Sequence, residues 1–89
     1  MGWRIEIDPS AEKELGKLGS VAAERILRFL FHRLSRLDNP RSIGEALIGP
    51  KFGELWKYRV GDYRLIARIE DHEVQILVLQ VGHRRNVYR

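Results

Sequence analysis

The spacing of apolar residues along this 89-residue chain changes from a helical to a strand period near residue 54, and this change limits the folds available to it. Between residues 11 and 37 the apolar positions recur every three or four residues, as they do on one face of a helix. From residue 54 onward they alternate with polar residues, as in strands that bury one face. Helices and strands that occupy separate stretches predict an α+β domain rather than alternating α/β units.

A short strand and a first helix are predicted before residue 20. Apolar and charged residues alternate over residues 3–8, which is the two-residue period of a half-buried strand. Asp8 and Pro9 are typical of a helix start, with an N-cap carboxylate before a proline at the first helical position. Apolar residues at helical spacing continue to Leu18, and the helix is expected to end near Gly19.

A longer second helix is predicted from Ser20, which is expected to be its N-cap. Pro40 disfavours helical geometry for the residue before it, so the helix is expected to end within Asp38-Asn39-Pro40. Its predicted buried stripe, widened by Ile26 and Phe31, consists of Ala23, Leu27, Leu30, Leu34 and Leu37.

Three strands joined by tight turns are predicted after residue 54. Gly61 and Asp62 separate the first two, and a turn over residues 70–73 precedes an apolar strand over residues 74–81. The order is β-α-α-β-β-β in a single domain spanning residues 1–89. We expect a helical hairpin packed on one face of a mainly antiparallel four-stranded sheet, with the pairing of the first strand left open.

Composition argues against several classes of protein. The chain has no cysteine, which excludes disulfides and thiolate metal sites and gives no reason to expect an oxidising compartment. Arg4 and Glu6 lie where a signal peptide needs an apolar run, and no segment reaches membrane-spanning length. We expect a cytoplasmic protein without membrane contact, and no residue spacing indicates a metal site or a cofactor.

The positive charge is concentrated in the second half of the chain. The whole sequence carries a formal charge of +4, with a pI near 9.9. Residues 1–50 hold eight basic and seven acidic residues, whereas residues 51–89 hold eight and five. This distribution favours a polyanionic partner that binds the second half.

Three cations are expected to meet near the turn at Gly61. Lys57 and Arg59 are two residues apart and therefore leave the same face of their strand. Arg64 follows the turn and should be a close neighbour of Arg59, and the register of the two strands decides whether it shares their face. Like charges side by side cost stability, so the cluster indicates a bound anion, for which a phosphodiester is the natural candidate. The remaining candidates follow the last predicted strand: His83, Arg84 and Tyr88.

These residue types fit cleavage of RNA without a metal. The reaction needs an acceptor for the 2′-hydroxyl proton, positive charge near the phosphorus and a donor for the leaving oxygen. Arginine matches phosphate in charge and geometry, histidine titrates near neutral pH, and a lysine among cations releases its proton more easily. Lys57 and His83 are both candidates for proton transfer, and Tyr88 for stacking on an exposed base.

Each candidate also has a plainer interpretation. Lys57 and Arg59 fit the solvated face of a strand, His83 after a glycine fits a turn, and the arginine-rich tail fits a flexible basic end. Taken alone, these patterns predict a small basic domain that binds RNA.

Two segments resemble the RelE/ParE toxin superfamily. Residues 55–65 read LWKYRVGDYRL, and residues 81–88 read VGHRRNVY. The opening strand, the first helix with its Lys-Leu-Gly end and the long second helix are similar to the same superfamily. The resemblance implies a RelE-like fold and a type II toxin held by a RelB-like antitoxin, as in a toxin–antitoxin heterotetramer. For the RelE branch it also implies a metal-independent endoribonuclease that acts on mRNA in the ribosome.

The resemblance also implies roles for single residues. The basic pair of strand two falls on Lys57 and Arg59, which take part in base chemistry and phosphate binding in RelE-like enzymes. Arg64 and Arg84 fall on arginines that stabilise the transition state or help to protonate the leaving group, and Tyr88 falls on the C-terminal aromatic residue.

This chain departs from the RelE pattern in three places, and the same superfamily offers a competing function. Arginine replaces lysine at Arg59, His83 precedes Arg84, and the tail is shorter, which moves base chemistry toward Lys57 or His83. The ParE branch inhibits DNA gyrase and is not a nuclease, and fold alone does not choose between the branches. The retained cations together with Tyr88 favour the nuclease.

Overall fold

The computed structural model describes residues 2–47 and 54–83 of the chain. Three short 3-10 turns, Leu34–Arg36, Pro40–Ile43 and Asp71–Glu73, accompany the main elements. The two helices are α1 (Pro9–Lys17) and α2 (Ser20–His32). The five strands are β1 (Arg4–Ile7), β2 (Glu45–Ala46), β3 (Leu55–Val60), β4 (Tyr63–Glu70) and β5 (Gln75–His83).

The strands form one sheet in the order β1-β5-β4-β3-β2. β1 runs parallel to β5, and the other neighbouring pairs are antiparallel. The predicted α+β class, with two helices packed on a mostly antiparallel sheet, is confirmed. The structure adds the two-residue edge strand β2 to the four predicted strands, and it decides the open pairing of the first strand.

The start of α1 agrees with its prediction. The Asp8 carboxylate accepts hydrogen bonds from the amide of Ser10 at 3.1 Å and from its hydroxyl at 2.6 Å. These two bonds lower the pKa of Asp8 because they favour the charged form. The capping interaction fixes the direction in which the chain leaves β1.

The boundaries of α2 differ from the prediction. Gly19, with φ at +90°, is the N-cap, so Ser20 lies inside the first turn and does not cap the helix. The helix ends at His32 rather than near Pro40, because the backbone leaves helical geometry at Arg33 and continues in a 3-10 turn. That turn carries Leu34 into the core, where it is fully buried.

The buried face of α2 is also rotated from the predicted stripe. Ala22, Ile26 and Leu30 are its buried residues, at spacings of four. Phe31, which was expected to widen the stripe, is 46% exposed. The many apolar residues of α2 make two stripes possible, and packing against the sheet selects one of them.

The core lies between the helices and one face of the sheet. Tyr58, Val60 and Leu65 are buried in it beside the residues of α2. The Tyr58 hydroxyl donates a hydrogen bond to the Pro40 carbonyl at 2.8 Å, and burial raises the pKa of Tyr58 to about 12. In residues 2–47 and 54–83, no buried side-chain nitrogen or oxygen lacks a hydrogen-bond partner.

Gly44 brings the edge strand β2 close to this core. A Cβ atom at Gly44 would lie 2.8 Å from Cε1 of Tyr58, which is closer than real Cβ contacts. Only glycine lets the backbone pass so near the tyrosine ring without a shift. This approach leads directly into β2 and positions Glu45 beside β3.

Candidate active site

Three predicted cations meet on the sheet face that lies away from the helices. Arg59 and Arg64 are directly opposite each other in the β3–β4 pair, and Lys57 is opposite Ile66. Opposite residues of an antiparallel pair share a face, as do residues two apart on one strand. Since the alternating Tyr58 and Val60 are buried under the helices, Lys57, Arg59 and Arg64 share the other face, which we call the open face.

Hydrogen bonds to the β3–β4 turn hold the Arg64 side chain. Its Nη1 donates to the carbonyl of Gly61 at 3.1 Å and to the carbonyl of Tyr63 at 3.0 Å. Gly61 has a φ of +60°, which glycine adopts without strain. The predicted tight turn is thus confirmed, and it restrains the guanidinium group next to Arg59.

A carboxylate that the sequence analysis did not identify lies against two of these cations. Glu45 is opposite Lys57 in the β2–β3 pair. Its Oε2 lies 3.7 Å from Nζ of Lys57, and its Oε1 lies 3.5 Å from Nε of Arg59. No local signal marks Glu45, because it becomes part of the site only when the two-residue strand β2 pairs with β3.

Exposure differs strongly among these charged groups. The Lys57 side chain is 17% exposed, whereas those of Arg59 and Glu45 are 61% and 58% exposed. Ion pairs this exposed contribute about 0–1 kcal/mol, so an incoming anion can replace Glu45 at Arg59 at low cost. Lys57 is held more firmly within the sheet surface.

The structure does not bring His83 to the open face. His83 is the last residue of β5 and pairs with Tyr63, while Gly82 pairs with Arg64. The rings of Tyr63 and His83 are in edge-on contact, with their centroids 6.0 Å apart. By register His83 therefore faces away from Arg64, and its role in proton transfer stays a prediction.

The other two predicted site residues, Arg84 and Tyr88, lie outside the described residues. Their predicted roles in charge stabilisation and base stacking stay predictions. Within the described ranges, no group of three or more histidine, aspartate or glutamate side chains is arranged to hold a metal ion.

A second charged cluster, at the other end of β3, is internally neutralised. Arg41 forms two hydrogen bonds with the Asp71 carboxylate, at 3.0 and 2.8 Å, and lies over the ring of Trp56. The side-chain hydrogen bond from Arg41 lowers the pKa of Asp71, and the same bond raises the pKa of Arg41. By contrast, Arg64 has no carboxylate within 4.0 Å among the described residues.

The sequence matches a family of toxins over nearly its full length. A family model described as ParE toxin of type II toxin-antitoxin system, parDE, matches residues 5–88. Toxin RelG of Mycobacterium tuberculosis is 32% identical over 89 residues, which are 100% of this chain and 99% of that protein. The mRNA interferase toxin RelE of Escherichia coli is 32% identical over 84 residues, which are 94% of this chain and 85% of that protein.

A solved structure shares the whole architecture. A chain in the crystal structure of the toxin–antitoxin complex RelBE2 from Mycobacterium tuberculosis superposes with a TM-score of 0.85 at 28% identity. The superposition covers 97% of this chain and 95% of that chain. The expected RelE-like fold is confirmed, and the class is that of small toxins of type II toxin–antitoxin systems. This chain belongs to the RelE/ParE superfamily, within its RelE family.

No helix among the described residues is long and apolar enough to cross a membrane.

Proposed function

We propose that the protein is a ribosome-dependent mRNA endoribonuclease that inhibits translation. The observation that carries the proposal is the register of β3 and β4, which sets Arg59 against Arg64 with Lys57 on the same face. Among the described residues these three cations face the single carboxylate of Glu45 within 4.0 Å, which leaves a net positive site for a phosphodiester. The names of the similar mRNA interferases support the same activity.

The proposed reaction is attack of the RNA 2′-hydroxyl on the adjacent phosphorus. The P–O bond to the 5′-oxygen of the next nucleotide breaks, which leaves a 2′,3′-cyclic phosphate and a 5′-hydroxyl. Arg59 and Arg64 bind the phosphate oxygens and stabilise the negative charge that develops on them. Their guanidinium groups supply permanent charge, and we therefore propose that the reaction needs no metal ion.

Lys57 is the described residue best placed for proton transfer at the open face. It lies two residues from Arg59 on the same strand, and its side chain is less exposed than that of Arg59. His83 is a second candidate, which would reach the phosphate only if the RNA extends past the C-terminal end of β5. Arg84 is proposed to add charge at the leaving oxygen, and Tyr88 to stack on a base.

The proposed partners are the ribosome, its mRNA and a RelB-like antitoxin. Similar solved chains come from complexes with RelB proteins, including the M. tuberculosis complex and the archaeal RelE–RelB complex from Pyrococcus horikoshii. We propose that this chain likewise binds an antitoxin, in a heterotetramer, and that it acts in the cytoplasm, where ribosomes translate.

The second candidate function is inhibition of DNA gyrase without RNA cleavage. It is favoured by the match of residues 5–88 to the ParE family model. The two candidates make opposite predictions about the transcript, because a gyrase inhibitor traps DNA complexes and leaves mRNA intact.

The deciding experiment adds the purified protein to ribosomes that translate a defined mRNA. We expect cuts within codons at the ribosomal A site, mapped by primer extension, with 2′,3′-cyclic phosphate ends that polynucleotide kinase phosphatase removes. The same mRNA without ribosomes and a reaction with EDTA test ribosome dependence and metal independence. Intact transcripts together with trapped gyrase–DNA complexes would instead support the ParE-like function.

A further inference from the structure

Arg25 of α2 reaches across to the β3–β4 turn and lies over Gly61. A Cβ atom at Gly61 would be 2.9 Å from Nη1, 3.1 Å from Cζ and 3.1 Å from Nη2 of Arg25. Because these three distances are nearly equal, the plane of the guanidinium group faces the position that a Cβ of Gly61 would occupy. The glycine thus serves two purposes, since it permits the positive φ and leaves room for Arg25.

The same glycine also holds Arg64. Its carbonyl accepts a hydrogen bond from Nη1 of Arg64 at 3.1 Å, so two guanidinium groups from different elements contact one residue. Because both guanidinium groups lie close to Gly61, salt screening with a Debye length of about 10 Å at 0.1 M leaves much of their combined field intact. Positive charge therefore continues from the open face, around the turn, onto α2.

Neighbouring acidic groups leave Arg25 available to an anion. Glu24 pairs with Arg28 at 3.0 Å, Glu45 pairs with Lys57 and Arg59, and Asp62 is exposed in the turn. In the part of the chain that the structure describes, no carboxylate oxygen lies within 4.0 Å of Arg25. Arg25 is itself exposed, so its side chain is accessible to an anion from solvent.

We propose that Arg25 binds an RNA phosphodiester adjacent to the one held by Arg59 and Arg64. The inference rests on the proposed nuclease function and assigns α2 a part in substrate binding. The guanidinium group already lies over Gly61 without a carboxylate partner among the described residues, and its planar fork of donors matches a phosphate in charge and geometry. The phosphodiester belongs either to the mRNA strand or to ribosomal RNA, and both sources present the same chemistry. Arg25 touches no reacting atom and is a binding residue.

The test compares Arg25→Ala with Arg28→Ala, a matched arginine one turn further along α2 that is already paired with Glu24. Binding is measured with an mRNA that carries 2′-deoxy substitutions at the A-site codon and therefore cannot be cut. We expect Arg25→Ala to bind programmed ribosomes about 3- to 10-fold more weakly. The slope of log K against log salt should fall by about 0.7, the value for one lost phosphate contact on a single strand.

Two further variants test whether the charge and position of Arg25 matter, and a free 2′-deoxy oligonucleotide distinguishes mRNA from ribosomal RNA as the source of the phosphodiester. Arg25→Lys should restore most of the salt slope. Gly61→Ala should weaken binding at least as much as Arg25→Ala, because it displaces Arg25 and also strains the turn that holds Arg64. If the loss also appears with the free 2′-deoxy oligonucleotide, the contact is to the mRNA strand, whereas a loss seen only with ribosomes places it on ribosomal RNA. The control Arg28→Ala should bind programmed ribosomes and cut mRNA like the wild type.

Several results would overturn the inference. Equal binding by Arg25→Ala and Arg28→Ala, while the wild type still cuts mRNA, would reject Arg25 and leave the nuclease proposal standing. Wild-type protein that neither binds nor cuts RNA would reject both. Weakened antitoxin binding with unchanged ribosome binding would show that Arg25 recognises an acidic protein segment instead.

Discussion

Neighbouring residues of β3 face two different environments. Tyr58 is 1% exposed, and its hydroxyl donates a hydrogen bond to the Pro40 carbonyl, whereas the Arg59 side chain is 61% exposed and lies between Arg64 and the carboxylate of Glu45. The same contrast separates Leu65 from Arg64 on β4. The two-residue period of a strand thus places a fully satisfied core on one face and uncompensated positive charge on the other.

The contrast teaches that stability and the proposed chemistry depend on different residues of the same strands. Removing a helix-side group should lower the free energy of unfolding and leave the rate per folded molecule unchanged. Removing an open-face cation should lower the rate per folded molecule and change the free energy of unfolding little. Four substitutions test this separation.

The largest effect is expected for Arg64→Ala. Loss of a cation that stabilises the developing charge should lower the rate of mRNA cleavage by about 10²- to 10³-fold. The lost turn hydrogen bonds should cost no more than about 1.5 kcal/mol of unfolding free energy. The matched control is Arg68→Ala, an exposed arginine on the same face of β4, which should cut at the wild-type rate. Equal losses in both variants would argue for general electrostatic binding instead of a site.

A neighbouring substitution, Leu65→Ala, should give the opposite result. Leu65 is fully buried in the core, and truncating it should lower the free energy of unfolding by about 2–5 kcal/mol through lost burial and the cavity left behind. Urea denaturation measures this change. Cleavage per folded molecule, assayed below the unfolding transition, should equal that of the wild type, and a large rate loss there would mean that the two faces are coupled.

The Tyr58→Phe variant removes a single oxygen from the helix side. The unpaired Pro40 carbonyl should cost about 1–3 kcal/mol at neutral pH. Since burial raises the folded-state pKa of Tyr58 from 10.0 to about 12, this tyrosine stabilises the fold fully below pH 10. That contribution is lost as the pH rises from about 10 to about 12.

Unfolding curves between pH 8 and 12 check this expectation, because Tyr58→Phe should lose less stability over that range than the wild type. Tyr63→Phe is the matched control, since its hydroxyl makes no hydrogen bond with another described residue. Its free energy of unfolding at neutral pH should be unchanged. Identical alkaline behaviour of Tyr58→Phe and the wild type would contradict the assignment.

The smallest effect is expected for Glu45→Gln, on the open face. Glu45 competes with the RNA phosphate for Lys57 and Arg59, so its neutralisation should lower KM by up to about fivefold, with an unchanged kcat and a stability change below about 1 kcal/mol. The control is Glu6→Gln, at the far side of the same face, which should leave KM, kcat and stability unchanged. A lower kcat at unchanged KM would instead make Glu45 the proton acceptor and not a counter-ion.

Much of this architecture could be read from local patterns. Asp8 and Pro9 predicted the start of α1, and Gly61 with Asp62 predicted the β3–β4 turn, because caps and tight turns depend on a few adjacent residues. The alternation of Lys57 and Arg59 with buried residues predicted their common face. The expected N-cap at Ser20 was wrong, since Gly19 holds that position with φ at +90°. The expected end of α2 near Pro40 was wrong as well, since the backbone leaves helical geometry at Arg33 and the next turn buries Leu34.

The sequence by itself determined the order of the two helices and the four longer strands, the common face of Lys57 and Arg59, and the turn that brings Arg64 near them. Only the tertiary structure decided that β1 pairs in parallel with β5, that Glu45 joins the cations and that Arg25 covers Gly61. The structure also decided that His83 faces away from Arg64. The physical reason is range: periodicity and turn chemistry act between neighbours in the chain, whereas register and approach between distant segments follow from packing the whole core.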